Sequence, residues 1–173
     1  MENLLKQDKI RYKNSAGGGK MPRFQKALRR FQDARCFLTK TFWRIAYKRI
    51  AKKSLIEIPL QTKIGGGLYV GHPYGITINP KSVIGKNCNI HKGVLIGQEN
   101  RGTRKGVPEI GDCVWIGINA AIVGNVKIGN DVLIAPNSYV NCDVASHSVV
   151  FGNPCIIKHK ENATENYINR KVE

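Results

Sequence analysis

Residues 110–144 read IGDCVWIGINAAIVGNVKIGNDVLIAPNSYVNCDV, and an aliphatic residue recurs in them every six positions. A small or β-branched residue follows four positions after each aliphatic one. Neither the 3.6-residue period of a helix nor the two-residue period of a strand gives this spacing. A six-residue repeat is typical of a parallel β-helix, in which each hexad is one short strand plus a corner. The repeat comprises Ile110, Ile116, Ile122, Ile128, Ile134 and Val140, with Val114, Ala120, Val126, Val132, Ser138 and Val144 four positions later.

The repeat extends towards the N-terminus and is interrupted by two longer steps. The first is a step of eight residues from Val70 to Ile78, and the second is a step of fourteen residues from Ile96 to Ile110. About thirteen hexads, at three per coil, predict a prism of a little over four coils. Because an insertion in a repeat array forms a loop on one face, function is expected at the two longer steps. The earlier aliphatic positions are Ile58, Ile64, Ile84 and Ile90.

Positive charge is concentrated in one part of this 173-residue chain, whose formal net charge is +16. Residues 1–55 contain 16 Lys and Arg against 3 Asp and Glu, whereas residues 56–173 contain 12 and 9. This split predicts a polyanionic partner, such as an anionic membrane surface. Nucleic acid is not expected, because no groove-reading motif is present. No apolar run reaches the ~18 residues of a membrane span.

The cysteines and the first residues together predict a cytoplasmic protein, with the inner face of the membrane as an alternative location. Residues 1–13 are polar and do not resemble a secretory signal. No cysteine belongs to a CxxC pair, and free, mostly buried thiols are typical of the cytosol. The five are Cys36, Cys88, Cys113, Cys142 and Cys155.

Residues 1–55 are predicted to be a basic, mostly helical N-terminal segment. Within them, residues 1–20 are expected to be loosely structured and to end in the linker Ala16-Gly17-Gly18-Gly19. Residues 22–53 then show apolar residues at steps of three and four, which predicts one or two amphipathic helices. Their apolar stripe is expected to pack on the end of the prism or on a neighbouring subunit. The alternative is that the basic face rests on an anionic membrane.

Residues 56–157 are predicted to form the β-helix domain. Near its end, the stretch from Ser148 to Pro154 departs from the six-residue repeat, and its Gly and Pro are expected to stop the strand pattern. Residues 158–173 form a charged C-terminal tail, which is expected to be a short helix or disordered.

The first longer step contains the candidate catalytic residue, His72, within Gly71-His72-Pro73-Tyr74-Gly75. A bulge re-aims a side chain and recurs beside active sites. Glu57 lies fifteen residues earlier, so that with about eighteen residues per coil the two side chains could meet on adjacent coils. A carboxylate bonded to one imidazole nitrogen supports the other as a base. A structural histidine and a solvated glutamate remain the alternative.

The second longer step spans residues 97–108 and is a polar, glycine-rich loop with three cations. Two of them, Arg101 and Arg104, are candidate substrate contacts, because such a loop could fold over a cleft and meet phosphates or an acidic acceptor. Tyr74 of the first step is a third candidate substrate contact. An ordinary mobile surface loop is the alternative.

The segments from Ile64 to His72 and from Gly75 to Ile78, and the loop that begins at Ile96-Gly97, resemble the serine acetyltransferase branch of the hexapeptide acyltransferases. The segment from Gly111 to Gly117 and Gly152-Asn153-Pro154 resemble segments shared more widely among the acetyl-CoA-dependent members. Both unusual spacings are similar to those of the serine acetyltransferase branch in particular. The resemblance implies an all-β fold, a left-handed parallel β-helix preceded by a short helical segment. It also implies homotrimers with active sites in the clefts between prisms, and acetyl-CoA as the donor.

The resemblance also assigns roles to residues of this chain. It implies that His72 is the general base and that the acidic residue fifteen positions before it, here Glu57, orients the ring. A backbone N–H near Gly97 or Gly117 is expected to stabilise the oxyanion. The donor's pantetheine is expected along Trp115 and Gly117, with Ala120 and Pro136 further along; packing is the alternative role for Trp115. No metal is expected.

Two departures from the branch concern the acceptor. The acidic residue that commonly precedes the catalytic histidine is Gly71 here, and the histidine that commonly precedes the proline of the long loop is Val107. Without a carboxylate, a serine ammonium would be poorly compensated. The main prediction is therefore a sugar or surface-polysaccharide precursor as acceptor, by analogy with shorter relatives of that kind.

Three alternatives are kept. The first is a serine O-acetyltransferase proper. The second, a zinc hydratase on a similar prism, would need three converging histidines, and the spacing of the four in this chain does not suit it. The third is a scaffold or membrane-recruitment module without catalysis. The four histidines are His72, His91, His147 and His159.

Overall fold

Three helices precede a three-sided prism of short parallel strands in the computed structural model, which describes residues 3–13 and 19–173. The helices are α1 (Leu4–Tyr12), α2 (Arg23–Asp33) and α3 (Phe37–Lys53). The strands are β1 (Lys63–Ile64), β2 (Tyr69–Gly71), β3 (Thr77–Ile78), β4 (Val83–Ile84), β5 (Asn89–His91), β6 (Leu95–Gly97), β7 (Glu109–Ile110), β8 (Trp115–Ile116), β9 (Ala121–Val123), β10 (Lys127–Ile128), β11 (Val132–Ile134), β12 (Tyr139–Val140), β13 (Ser148–Phe151) and β14 (Ile156–His159).

Successive strands lie on successive faces of the prism. Face I contains β1, β4, β7 and β10, face II contains β2, β5, β8, β11 and β13, and face III contains β3, β6, β9 and β12. Single bridges extend face III to Glu57, which pairs with Thr77, and face I to Val144, which pairs with Ile128. Each face thus has five parallel levels in the described residues, and face II ends in a sixth, antiparallel strand, β14, where the sequence predicts a little over four coils.

The strand register measures the length of each coil. Ile110 pairs with Ile128, eighteen residues later, which is the regular coil. Ile64 pairs with Ile84, twenty residues later, and Ile84 pairs with Ile110, twenty-six residues later. Two residues are therefore inserted in the coil that contains His72, and eight in the coil that contains the long loop, as the two longer steps predict.

The predicted departure from the six-residue repeat is present, and β13 ends at Phe151, directly before Gly152, but one further strand, β14, follows Pro154. Ser148–Phe151 forms β13, which pairs in parallel with β11 on one side and antiparallel with β14 on the other. Ile134 pairs with Val150, sixteen residues later, so the last coil is two residues shorter than the others. A count in steps of six misses a coil that is shortened in this way.

The interior of the prism is a stack of aliphatic side chains, one from each hexad. Almost all of the residues at the repeat positions have an exposed fraction of 3% or less, because the period of six directs each of them inward. Each fully buried Ile or Val stabilises the fold by roughly 1.5–3 kcal/mol. The hydrogen bonds between coils then align neighbouring members of the stack.

The N-terminal residues form an ordered helix rather than the loose segment that the sequence predicts. Asn3 caps α1 with its side-chain oxygen, which accepts a hydrogen bond from the Lys6 N–H at 3.1 Å. The helix buries polar residues, because its inner side meets the backbone of the first coil. Ala16 to Gly18 of the predicted linker lie outside the described residues.

A buried ion pair joins α1 to α2 and to the prism. The Nε of Arg29 donates to Asp8 at 2.8 Å, and both side chains are fully buried. Arg29 also donates to the carbonyls of Ile64 and Gly65, while Asp8 accepts from the N–H of Leu68. The pair therefore satisfies backbone groups of the first coil that have no lower coil beneath them.

Helices α2 and α3 cap the lower end of the prism. Phe24 and Leu28 of α2 and Tyr47 and Ala51 of α3 are buried in the main core cluster. The predicted pair of amphipathic helices is thus present, and part of their apolar stripe packs on the prism. No helix in the described ranges is both long enough and apolar enough to cross a bilayer.

The C-terminal tail packs on the prism, contrary to the prediction of a short helix or disorder. After β14, Asp131 accepts hydrogen bonds from the N–H groups of Ala163 and Thr164 and from the Thr164 hydroxyl. Burial acts to raise the pKa of Asp131, but hydrogen bonds from Thr164, His147 and Ala163 hold it below its ordinary value. The tail then crosses face II, where Tyr167 meets β8.

The buried pair predicts a large loss of stability when one partner is removed. Replacing Asp8 by Asn leaves the Arg29 guanidinium buried without its counter-charge, at a cost of about 3–5 kcal/mol. Urea unfolding measured by circular dichroism gives the free energy of unfolding. Asp33→Asn, an exposed change on the same helix pair, is the control and should alter it by less than about 0.5 kcal/mol. Equal effects of the two substitutions would contradict the role of the pair.

Candidate active site

Several candidate residues gather at the edge where face II meets face III, which we call the His72 corner. The inserted residues leave the regular coil there. Gly71 pairs with His91 of the next coil, and the N–H of Gly93 donates to the Tyr74 carbonyl at 3.0 Å. Three residues of the lower coil, 72–74, therefore lie opposite the single residue Lys92, which forms a bulge with His72 at its start.

The backbone of His72 is in the left-handed region, with a φ of 51°. Non-glycine residues seldom adopt this conformation, and it directs the side chain away from the preceding strand. Left-handed residues recur at the regular corners of the prism, one per coil, and His72 is not among them. At the His72 corner the recurring positions are Leu55, Gly75, Gly93, Asn119 and Asn137, and at the edge of faces I and II they are Gly67, Asn87, Cys113, Asp131 and His147. His72 is thus an additional left-handed residue that comes with the insertion, and its side chain is exposed.

Glu57 lies at the same corner but does not contact His72 within this single chain. Its backbone pairs with the strand that follows the bulge, as the Glu57 N–H donates to the Ile76 carbonyl at 2.8 Å. Its carboxylate accepts a long hydrogen bond of 3.5 Å from the Thr77 hydroxyl. No hydrogen bond joins Glu57 to His72 in the described residues, so the pairing that the sequence predicts is not formed here.

Gly117 and Pro136 continue the His72 corner along the prism. Gly117 follows β8, and its N–H donates to the Ile134 carbonyl at 2.8 Å. A Cβ on Gly117 would lie 2.6 Å from the backbone nitrogen of Pro136, so two coils touch there. Tyr74, in the bulge, has an exposed side chain at the same corner. Four of the predicted residues therefore share one edge with His72: Glu57, Tyr74, Gly117 and Pro136.

Ala120 and Trp115 are placed differently from the prediction of a pantetheine slot. The side chain of Ala120 is fully buried inside the prism, so it can offer only its backbone to a ligand. The indole of Trp115 lies on face II between His91 and Tyr167, with ring centroids 4.7 and 5.2 Å away. Trp115 thus packs against other rings within this chain, and its contact with the pantetheine stays a prediction.

The long loop lies at the opposite edge of face III. It leaves the prism after Gly97, at the end of β6, and folds back as a hairpin in which Glu99 and Gly106 exchange backbone hydrogen bonds of 3.0 Å. Arg101 and Arg104 border an open hollow of about 690 Å³ beside this loop. Face III separates them from His72, so one chain does not bring these arginines and Gly97 to the His72 corner.

His91 is a residue at the His72 corner that the sequence analysis did not select. Its Nδ1–H donates to the Ile116 carbonyl at 2.8 Å, and its ring packs against Trp115 in a tilted arrangement. Burial lowers the pKa of His91, the hydrogen bond to Ile116 opposes this, and the nearby His72 lowers it further. The signal was present in the sequence, because His91 follows Gly71 by one coil plus the two inserted residues.

No cluster of three or more His, Cys, Asp or Glu side chains that could hold a metal ion occurs within residues 3–13 and 19–173. The absence of a metal therefore remains a prediction for the protein as a whole.

Comparison with known proteins gives consistent matches. A profile of the family described as bacterial transferase hexapeptide (six repeats) matches residues 108–142. Serine acetyltransferase 4 of Arabidopsis thaliana is 38% identical over 106 residues, which cover 61% of this chain and 30% of that protein. A serine acetyltransferase of Staphylococcus aureus is 40% identical over 99 residues, covering 57% of this chain and 46% of that protein. The chain thus spans less than half the length of these curated relatives.

Solved structures show the same similarity. The serine acetyltransferase of Neisseria gonorrhoeae in complex with serine superposes with a TM-score of 0.68 at 27% identity, covering 90% of this chain and 67% of that one. Soybean serine acetyltransferase superposes with a TM-score of 0.69 at 24% identity, covering 91% and 70%, which shows the fold alone. These matches confirm the left-handed β-helix and the resemblance to the serine acetyltransferase-like branch.

The close contact at Gly117 predicts that Gly117 tolerates substitution by alanine less well than Gly97 does. Gly117→Ala would press a Cβ against the backbone of the next coil, and we expect it to destabilise the protein by about 1–3 kcal/mol. Gly97→Ala is the matched control, because its Cβ would meet only the Leu95 side chain at 3.6 Å. Thermal unfolding compares the two, and equal melting temperatures would show that the coils do not touch at Gly117.

Proposed function

We propose, from the premise that this chain is a hexapeptide-repeat acyltransferase of the serine acetyltransferase-like branch, that it transfers acetyl from acetyl-CoA to an acceptor hydroxyl. One observation carries the proposal. The two-residue insertion holds an exposed imidazole, His72, out of the regular coil in a left-handed conformation, at the corner where Glu57 pairs with the strand that follows the insertion. The similarity to serine acetyltransferases supports acetyl-CoA as the donor, and no resident metal is included in the proposal.

In the proposed reaction, His72 accepts the proton of the acceptor hydroxyl while its oxygen attacks the thioester carbonyl carbon. The new C–O bond forms, the C–S bond then breaks, and the CoA sulfur leaves with the proton that the imidazolium returns. Such general-base catalysis contributes roughly 10²–10⁴-fold. Holding both substrates in one cleft contributes further through orientation.

Glu57 is proposed as a positioning residue for His72. In the free chain its carboxylate is exposed and held only by the 3.5 Å hydrogen bond from Thr77, so little opposes its rotation towards the bulge. Bound to one imidazole nitrogen, it would fix the tautomer and leave the other nitrogen free as the base. In structures without substrate, catalytic hydrogen bonds are often long or poorly aligned, and they tighten only when the substrate binds.

The donor is proposed to run along the His72 corner. Gly117 and Pro136 form this edge above the bulge, and no side chain on Gly117 stands in the way of a ligand. The backbone of Ala120 remains a proposed contact of the donor. A backbone N–H near Gly117, or near Gly97 of a neighbouring chain, remains the proposed hydrogen-bond donor to the oxyanion. Trp115 is partly exposed beside Tyr167 and remains a proposed contact of the donor.

A homotrimer is proposed because one chain does not complete the site. Arg101 and Arg104 lie at the far edge of face III, whereas His72 and Tyr74 lie at the near edge. If the far edge of face III in one prism packs against the His72 corner of the next prism, the long loop of one chain meets the bulge of its neighbour. The head-to-tail contact that results closes into a ring at three subunits.

Two acceptors are considered. The comparisons favour L-serine, the alternative of the sequence analysis, because the curated relatives and solved structures reported above are serine acetyltransferases. A sugar or polysaccharide precursor, the main prediction, is favoured by Gly71, which provides no carboxylate beside His72 for an ammonium.

Contact with an anionic membrane is proposed for α3, which would place the protein at the inner face of the membrane. Its outer side exposes four large apolar side chains, with exposed fractions between 49% and 78%, at steps of one, four and three residues. Exposed cations flank this stripe, including Lys40, Arg44 and Lys48. An apolar stripe with basic flanks suits an anionic interface, where each cation contributes about 1 kcal/mol. The apolar residues are Phe37, Leu38, Phe42 and Ile45.

The general-base role predicts the effects of two substitutions. His72→Ala should lower kcat at least about a hundredfold while the oligomer stays intact. Glu57→Gln should lower kcat about tenfold. Glu57→Asp should lower kcat less than Glu57→Gln does, because it keeps the carboxylate that orients the ring. CoA release, followed with a thiol reagent, measures all three variants. Near-normal turnover by His72→Ala would refute the assignment.

The acceptor is identified by direct competition. CoA release is measured with L-serine, N-acetylglucosamine and a nucleotide sugar at equal concentrations. If the similarity to serine acetyltransferases extends to the acceptor, L-serine has the highest kcat/KM. A higher kcat/KM with a sugar supports the sequence-based prediction instead. Turnover of none of them would contradict the proposed reaction.

Membrane contact is tested by co-sedimentation of the whole chain with vesicles. We expect binding to vesicles that contain phosphatidylglycerol, weaker binding at high salt, and little binding to phosphatidylcholine alone. The double variant Leu38→Ser, Phe42→Ser should lose binding, whereas Val83→Ser, an exposed apolar position on the prism, should keep it. If the variant instead changes the oligomeric state, a second subunit covers this stripe and the membrane proposal fails.

A further inference from the structure

The space beside His72 that a side chain at position 71 would occupy is filled by a histidine from the next coil. A Cβ on Gly71 would lie 2.6 Å from Cδ2 and 2.8 Å from Nε2 of His91. Glycine is therefore the residue that leaves room for the ring. The edge of the His91 imidazole that carries Nε2 faces the strand residue directly before the proposed base.

The ring of His91 is held in one orientation by two contacts. Nδ1 lies 2.8 Å from the Ile116 carbonyl oxygen, and Trp115 packs against the ring with centroids 4.7 Å apart and planes tilted by 48°. Tyr167 of the C-terminal tail supports Trp115 from the other side. His91 is thus packed more firmly than an exposed side chain at a corner would be.

These contacts also determine which nitrogen is free. A carbonyl oxygen only accepts hydrogen bonds, so Nδ1 carries the proton. Burial lowers the pKa of His91, and the neighbouring His72 lowers it further, which keeps the ring neutral at pH 7. Nε2 then presents a lone pair, and no hydrogen-bond partner for it is found in the described part of the chain.

We infer that Nε2 of His91 accepts a hydrogen bond from the acceptor substrate, from an O–H or N–H group next to the hydroxyl that His72 activates. The inference rests on the proposed function and makes His91 a specificity-determining residue. Two acceptor classes carry such a group: a sugar with adjacent hydroxyls and serine with its amine. The neutral Nε2 of His91 thus lies where the acidic residue that commonly precedes the catalytic histidine, here Gly71, would carry its side chain.

The test separates the two nitrogens of His91. In His91→Asn, the amide nitrogen can take the place of Nδ1 and keep the Ile116 contact, but nothing reaches the place of Nε2. In His91→Gln, the amide oxygen can take the place of Nε2. His159→Asn, an exposed histidine of β14, is the matched control.

KM and kcat are measured for each variant with L-serine and with the sugars as acceptors. We expect His91→Asn to raise KM for the preferred acceptor about tenfold, the effect of one lost hydrogen bond, with KM for acetyl-CoA unchanged. His91→Gln should recover part of the loss, and His159→Asn should match the parent protein. The acceptor class that loses affinity identifies the bonded group. An unchanged acceptor KM in His91→Asn, or equal increases for acceptor and acetyl-CoA, would overturn the inference.

A second measurement separates this inference from the proposed function. If the parent protein acetylates no acceptor, the proposed function fails, and the inference is judged by nitrogen NMR of histidine-labelled protein. We expect His91 to be protonated at Nδ1 at pH 7.5, with a pKa below that of free histidine that rises in His72→Ala. Added serine or N-acetylglucosamine should shift the Nε2 resonance and leave that of His159 unchanged. A proton on Nε2, or an Nε2 resonance that neither compound shifts, overturns the inference.

Discussion

The stacking of one aliphatic side chain per hexad inside the prism is the interaction on which the rest of the structure depends. The inward residues of each coil are buried against the coils above and below, and at the lower end of the prism against α2 and α3. The backbone hydrogen bonds between coils hold that stack in register, with Ile110 over Ile84 and Ile128 over Ile110. The stack tolerates extra residues only where they leave the coil as a loop, so each insertion is displayed at a corner.

The first insertion produces the candidate site in this way. Two additional residues cannot enter the interior, and they hold His72 outside the regular left-handed corner positions. The strands on both sides stay paired, as Gly71 opposes His91 and Thr77 opposes Leu95. The paired coils therefore hold in place the groups around His72, the proposed base, which suits a site that must align two substrates.

The sequence predicts the prism well because, in a repeat fold, the spacing of the repeat along the sequence determines which residues pair between neighbouring coils. The step lengths alone give the eighteen-residue coil, both insertions and the exposed His72. The shortened coil that ends in Val150 was missed, since a step of sixteen residues in the pairing breaks the count. Helix α1 was also missed, because its stability comes from Asp8 and from contacts with the first coil rather than from an apolar period.

The site was predicted in part for a related physical reason. The sequence predicts His72, Tyr74 and Gly117 as site residues, and the structure places all three at one edge of the prism. Contacts between coils require the register after an insertion, and this is why His91 was overlooked. The hexad pattern also does not show whether a small residue faces the interior or the surface. Ala120, expected in a ligand slot, is fully buried inside the prism.

A crystal structure of the protein with CoA tests the central claim most directly. The account predicts that the CoA sulfur lies at the His72 corner, within about 4 Å of the imidazole, in a groove that a neighbouring chain closes with its long loop. A CoA molecule bound on another edge, or an imidazole at position 72 that faces bulk solvent in the assembled protein, would contradict it.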